Sequence, residues 1–258
     1  MIVTTSEHPE AVIVDRAIRL AAELEGRYVP RSNKTIRSMH GKWEDDEIVV
    51  VGEKEIRLML EGQQPFYFHP SMALVRLKRL RSGGNDTLLT VSGVQSGDMV
   101  LDCTAGLCSD SLVFSYAVGE KGRVIAMEAS NVLHAIVREG LRVYETGLAD
   151  IDRAMRTIEP VLGHHEEILS RMEDNSADVV YFDPMFDRPV TTSSSMVPLR
   201  SQALRAALSA ETVRDAKRVA RKKVVLKDHR ASGQFERLGF RLARASASSV
   251  AYGVIDIE

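Results

Sequence analysis

The chain has 258 residues, of which 44% are hydrophobic and 27% charged, with a formal net charge of -2; that is globular composition, with length for one large domain and a small appendage. The charge excludes a global pull toward nucleic acid, so any such contact must come from local patches. Two cysteines without CxxC or Cys/His spacing exclude a disulfide framework and a zinc site. No apolar run approaches the roughly 18 residues of a membrane span, and no basic-then-apolar leader opens the chain, so a reducing, cytoplasmic compartment is expected.

Residues 1–70 are expected to form a small α+β unit. Ala11 to Leu24 has helical spacing, with Val12, Ile13, Ala17, Ile18, Ala21 and Leu24 as its apolar stripe. Glu47 to Leu60 reads as two strands around a turn near Gly52. Residues 71–258 alternate strands with helices. Met99-Val100-Leu101 is the first strand, Asp110 to Ala117 a helix, Arg123 to Met127 the second strand and Asn131 to Tyr144 a helix. Thr157 to Leu162, Asp178 to Phe182 and Lys223 to Leu226 supply three more strands, with a long helix from Arg200 to Ala220 before the last. Gly239 to Ala245 and Ser249 to Ile257 read as a closing pair. The pattern predicts an α/β, Rossmann-like seven-stranded sheet with right-handed crossovers. Its ligands should lie at the carboxyl ends of the strands, where the strand order reverses.

Two loops at that rim carry chemistry. Asp102-Cys103-Thr104-Ala105-Gly106-Leu107-Cys108-Ser109-Asp110 joins the first strand to its helix. Gly106 permits a tight turn and a close ligand, but the G-x-G-x-x-G of a dinucleotide loop is missing, which disfavours a nucleotide-linked oxidoreductase. An acid at Asp102 would repel a pyrophosphate and suits the cationic amino-acid end of S-adenosylmethionine. Asp102, Thr104 and Gly106 are therefore candidate cofactor residues. Glu128 ends the second strand, placed to accept from ribose hydroxyls. Asp110 could equally complement its helix dipole, and Glu128 could be a solvated acid.

The second loop is Asp183-Pro184-Met185-Phe186, after the apolar run Val179-Val180-Tyr181-Phe182. The lone pair of an exocyclic base amine is delocalised, so the nitrogen needs positioning. The Asp183 carboxylate and the Pro184 carbonyl can accept its two N–H groups, proline stiffens the loop, and Phe186 can stack on the base for about 1–3 kcal/mol. Asp183, Pro184 and Phe186 are the candidate catalytic residues. Read alone, Asp-Pro is a common turn.

These two stretches resemble class I S-adenosylmethionine-dependent methyltransferases. More narrowly, they resemble the bacterial family of the small-subunit ribosomal RNA guanine-N2 methyltransferase J, with its Asp-Ala-Thr-Ala-Gly-Leu-Gly-like loop and Asp-Pro-Met-Phe. The likeness covers roughly residues 65 to 230. It implies S-adenosylmethionine as cofactor, contacts at Ser109 and Asp110, Glu128 and Ala129, His164 and His165, and Asp183, and ribosomal RNA or the small ribosomal subunit as partner. The family's second loop glycine is Cys108 here, its arginine before the last loop acid is Ser109, and Thr191 to Ser195 replaces a more basic stretch. A small-molecule or protein acceptor, or a non-catalytic RNA-binding role, are the alternative readings.

Arg76, Lys78, Arg79 and Arg81 form a basic run with no acid from Gly62 to Asn85, suited to a phosphate backbone or to a solvated helix face. Arg200 and Lys227 are further candidate substrate or RNA contacts, and Arg214 to Lys223 is either a wet helix face or a second RNA contact. His164-His165 is either an adenine-side loop or a plain polar turn. No metal ligand set is expected, and both cysteines read as packing residues.

Overall fold

A computed structural model describes residues 1–43, 45–184, 208–243 and 249–258. They form two compact units, residues 1–69 with 131–144 and residues 70–130 with the described residues from 145 onward.

In the first unit, β1 (Ile2–Thr5), β2 (Arg27–Tyr28), β3 (Glu47–Val51), β4 (Ile56–Leu60) and β5 (Phe66–Tyr67) form a sheet in the order β2-β1-β3-β4-β5. β1 is parallel to both neighbours, and β3 to β5 form an antiparallel meander. α1 (Ala11–Glu23) makes the crossover that a parallel β1–β2 pair requires, and α2 (Ile36–Trp43) leads into β3. β1 escapes sequence reading because Ile2-Val3-Thr4-Thr5 has only two apolar residues, too few to make either a run or an alternation. The stripe of α1 also differs from expectation. Ile13, Ala17, Leu20 and Ala21 face inward, whereas Val12 and Ile18 are 59% and 47% exposed, each about a hundred degrees around the helix from a buried neighbour.

Residues 131–144 contain α6 (Asn131–Val143), which packs against β4 and β5. Gly140 sits where a Cβ would come within 2.2 Å of the Phe68 ring. Gly140→Ala is therefore expected to destabilise the protein by about 1–3 kcal/mol through overpacking, although alanine is the better helix former by about 1 kcal/mol. Chemical denaturation checks this, and an unchanged or raised midpoint would show that the ring yields.

The second unit contains β6 (Met99–Asp102), β7 (Arg123–Glu128), β8 (Ile158–Leu162), β9 (Ala177–Phe182), β10 (Ala220–His229), β11 (Arg241–Leu242) and β12 (Val250–Asp256). Their order is β11-β12-β10-β9-β6-β7-β8. The five strands from β10 to β8 are parallel, and β12 is antiparallel to β10 and β11. Its helices are α3 (Ser71–Arg81), α4 (Thr87–Ser92), α5 (Ser109–Val118), α7 (Ala149–Arg156), α8 (His165–Arg171), α9 (Ala210–Val219) and α10 (Gln234–Arg237). Val100, Val179, Tyr181 and Val225 pack toward Phe114 of α5 and Leu88 of α4. Leu101, Val180, Phe182 and Leu226 pack on the other face with Val213 and Ala216 of α9. Burial of both faces is why these strands read as unbroken apolar runs. The chain proceeds from β6 toward β8 in one direction and from β9 toward β12 in the other, so the strand order reverses between β6 and β9.

The helix predicted from Arg200 starts, among the described residues, at Ala210. Ser209 caps it by accepting from the Thr212 N–H at 3.0 Å. It ends at Val219 because Ala220 already pairs with Ala177 in the sheet. The expected four-residue fifth strand is thus ten residues long.

Candidate functional site

β6 and β9 end side by side, and their loops are laced together. Cys103 N–H donates to the Tyr181 carbonyl at 2.9 Å, and Asp183 N–H donates to Thr104 Oγ1 at 2.6 Å. Ala105 N–H ties the same loop to the Met127 carbonyl of β7 at 3.0 Å. Gly106 has a φ of +51°, a region glycine enters freely, and its N–H donates to Glu128 Oε2 at 3.2 Å. The Ser130 N–H donates to Glu128 Oε1 at 2.8 Å. Glu128 thus stands at the tip of β7, aimed by backbone donors, partly exposed and able to accept more. Burial raises its titration despite those donors. Ala129 adjoins it, and Ser109 is the first residue of α5. Cys108 precedes that helix at a φ of +57°, a left-handed position where the resembling family has glycine.

Asp102 departs from expectation. It is 1% exposed and bonds to Ser111 Oγ and to the Thr104 N–H. Burial pushes its titration up to about 7, against the Ser111 bond. It supports the loop from inside and presents no oxygen to a cationic ligand.

Behind the two loops runs a chain of alternating charges from Asp86 through Arg76, Asp110 and Lys227 to Asp183. Arg76 holds Asp86 in a fork, at 2.8 and 2.9 Å, and also pairs with Asp110. Asp110 accepts from the Tyr181 hydroxyl at 2.7 Å and from Lys227 Nζ at 2.9 Å. Lys227 Nζ reaches Asp183 Oδ2 at 2.6 Å. Burial opposes the Asp110 charge, but Lys227 and Arg76 outweigh it and hold this carboxyl well below the usual range. Asp183 moves the other way, up to about 6, through burial reinforced by Asp110 and opposed by Lys227. Its side chain is 27% exposed, against 8% for Asp110, so Asp183 is the end of the chain that a ligand can reach. Pro184 follows it. Phe186 and Arg200 lie outside the described residues.

Arg76 and Lys227, candidate substrate or RNA contacts, are members of this charge chain, with side chains 20% and 22% exposed. Lys78, Arg79 and Arg81 remain exposed on α3. Lys78 and Arg81, with Ser82, Tyr116 and Leu148, line an open cavity of about 520 Å³. The Arg214 to Lys223 run divides. Arg218 binds the Leu169 and Met172 carbonyls, Arg221 those of Asn175 and Ser176, and Lys222 pairs with Asp98 at 2.6 Å. These residues brace the amino ends of the strands, opposite the two loops. Arg214 and Lys217 on α9 are exposed, as are Arg221 and Lys222 on β10 beside their partners.

His164 and His165 follow β8 and stack at 4.5 Å, with His165 edge-on to Phe182 at 5.6 Å. Burial and the neighbouring His164 lower His165 titration to about 4, so at neutral pH it offers an uncharged flat wall. Cys103 and Cys108 are buried thiols whose titration burial pushes up, in keeping with packing. Among the described residues no cluster of metal ligands occurs.

The pairings of Lys227 with Asp183 and of Tyr181 with Asp110 went unread in the sequence. One signal was present: Lys227 and Asp183 each follow an apolar strand, and the parallel register pairs Leu226 with Phe182, which makes the next residues neighbours. The groups suit a nucleoside: a hydroxyl acceptor at Glu128 and a flat neutral wall at His165.

The family described as "Putative SAM-dependent methyltransferase" matches residues 42–238. The uncharacterized protein YpiP of Bacillus subtilis (strain 168) is 40% identical over 253 residues, covering 98% of this chain and 98% of that protein. A SAM-dependent methyltransferase from Neisseria gonorrhoeae superposes with a TM-score of 0.62 at 18% identity, over 98% of this chain and 95% of that one, a likeness of fold. The chain belongs to the SAM-dependent methyltransferase family and uses S-adenosylmethionine (SAM) as its cofactor.

Proposed function

We propose that this methyltransferase modifies an exocyclic base amine, with guanine N2 of ribosomal RNA in the small subunit as its acceptor. The observation that carries the reading is the place of Asp183: at the end of β9, partly exposed, and bonded through its own N–H to Thr104 of the loop that follows β6. Bound SAM supplies an activated methyl group. The chain's own contribution is then positioning. The Asp183 carboxylate and the Pro184 carbonyl accept the amine's N–H groups and hold the nitrogen lone pair out of conjugation. Because the amine proton becomes acidic only after methylation, no strong base is required.

Glu128 would take the ribose hydroxyls, with Ala129, Ser109, Asp110 and the His164–His165 pair completing the cofactor side. Asp110 would act from the first turn of α5, since its side-chain oxygens are engaged. Lys78, Arg79 and Arg81 offer phosphate contacts on α3, within a stretch that lacks acids. Residues 1–70 would serve as a substrate-presenting unit and residues 71–258 as the methyltransferase domain. A ribosomal target would place the enzyme in the cytoplasm, and no described helix is long and apolar enough to cross a membrane.

The test is label transfer from SAM to ribosomal RNA and small subunits from a strain lacking this gene. Label on guanine N2 is expected. Label on a protein or small-molecule fraction, with none on RNA, would replace the reading.

A further inference from the structure

We propose that Lys227 is a positioning residue for the acceptor amine: its ammonium keeps the Asp183 carboxylate ionised and aimed, so that this group only accepts hydrogen bonds. The inference rests on the role given to Asp183 above. Lys227 belongs to the strand beside Asp183 and pairs in register with Tyr252 on its other side. Its Nζ stands 2.9 Å from Asp110 Oδ2 and 2.6 Å from Asp183 Oδ2, and the side chain is 22% exposed.

The groups around Asp183 explain why a cation is needed. Lys227 faces it from β10 and Asp110 from α5, with Tyr181 of β9 and Arg76 of α3 behind Asp110. Asp102 of β6 adds a further carboxyl and Tyr252 of β12 a phenol. Asp86, Asp110 and Asp183 thus share two cations, Lys227 between Asp110 and Asp183 and Arg76 between Asp110 and Asp86. Without Lys227, two carboxylates would face each other across a site largely closed to water, and one would take up a proton. Asp110 keeps Arg76 and the Tyr181 hydroxyl as partners, so Asp183 is where that proton arrives. A protonated Asp183 presents a donor to an amine whose N–H groups need acceptors, and the amine is no longer held.

The same placement bears on the class of acceptor. Lys227 already neutralises Asp183, so the site gains nothing from a charged alkylammonium, which would stand beside a second cation. A neutral, delocalised amine pays no such penalty.

The experiment compares pH profiles of kcat/KM for wild type, Lys227→Met and Asp183→Ala, with SAM binding followed by calorimetry. For Lys227→Met the acid limb should move up by one pH unit or more, with activity at neutral pH down by about 10- to 100-fold and partly regained as pH rises, while SAM affinity changes by less than about threefold. An unmoved acid limb overturns the inference. If Lys227→Met fails to fold, Lys227→Gln, which removes the charge and keeps a polar side chain, should show the same upward shift; an unshifted limb there is equally fatal. Asp183→Ala separates the two levels. Full activity in that variant removes the acceptor-loop reading itself, whereas its inactivity beside an unmoved Lys227→Met limb removes only the role of Lys227.

Discussion

Asp183→Ala is expected to lower methyl transfer by about 10²–10³-fold, the loss typical of removing one preorganised polar contact to a reacting group, while leaving a folded protein. The asymmetry comes from its position. Asp183 terminates the charge chain, so its removal leaves Lys227 paired with Asp110 at 2.9 Å and Arg76 with Asp86. Burial raises its titration to about 6 in the fold, above an unfolded value of about 3.9. A carboxyl shifted in this direction lends its stability fully below the unfolded value and loses it as pH rises through about 6. Melting of wild type measured against Asp183→Ala should therefore show a relative loss of stability between about pH 4 and pH 6. Label transfer checks the catalytic half and melting across that window the other half. Wild-type activity in the variant would mean that the acceptor is held elsewhere.

Asp110→Ala should have the largest effect on stability, about 3–5 kcal/mol, as expected when one partner of a buried ion pair is removed. Its carboxylate is shared by Arg76, Lys227 and the Tyr181 hydroxyl, and the residue is only 7% exposed. Alanine leaves two cations and a phenol facing a gap. For a chain of this size the melting temperature should fall by roughly 10 °C. Arg79→Ala is the control: this side chain is 56% exposed and reaches Asp86 at 3.5 Å, so its loss should stay within about 1 kcal/mol. Equal shifts in the two variants would show that water screens the Asp110 cluster as it does the surface. The wild-type contribution of Asp110 is present above the usual carboxylate range and is lost as pH falls, because its titration is lowered on folding.

Much of the larger sheet was legible because its strands are covered on both faces and therefore run apolar without interruption, as in Val179-Val180-Tyr181-Phe182. α3, α4, α7 and α8 were not read. Each is short, eleven residues in α3 and eight or fewer in the others. The start of β10 was missed because Arg221 and Lys222 look like solvent-facing charge, yet their carbonyl and carboxylate partners let them stay in the sheet. The pairing of Arg76 was hidden for a related reason. Its neighbours in sequence are other cations, while its acidic partners stand 10 and 34 residues away.

The residues alone determined the class of fold, the two rim loops and the acid at the tip of β7, since each depends on local spacing: apolar runs of strand length, a glycine turn and a carboxylate directly after a strand. Tertiary structure decided which of the charged groups stay exposed at the rim. Asp102 turned inward to Ser111, and Arg76 and Lys227 became internal counter-ions. Asp183 was left as the reachable acid, with its cation supplied from 44 residues away. Charge in a sequence carries no sign of its partner, because pairing follows strand order and register, and those form only when the sheet closes its core.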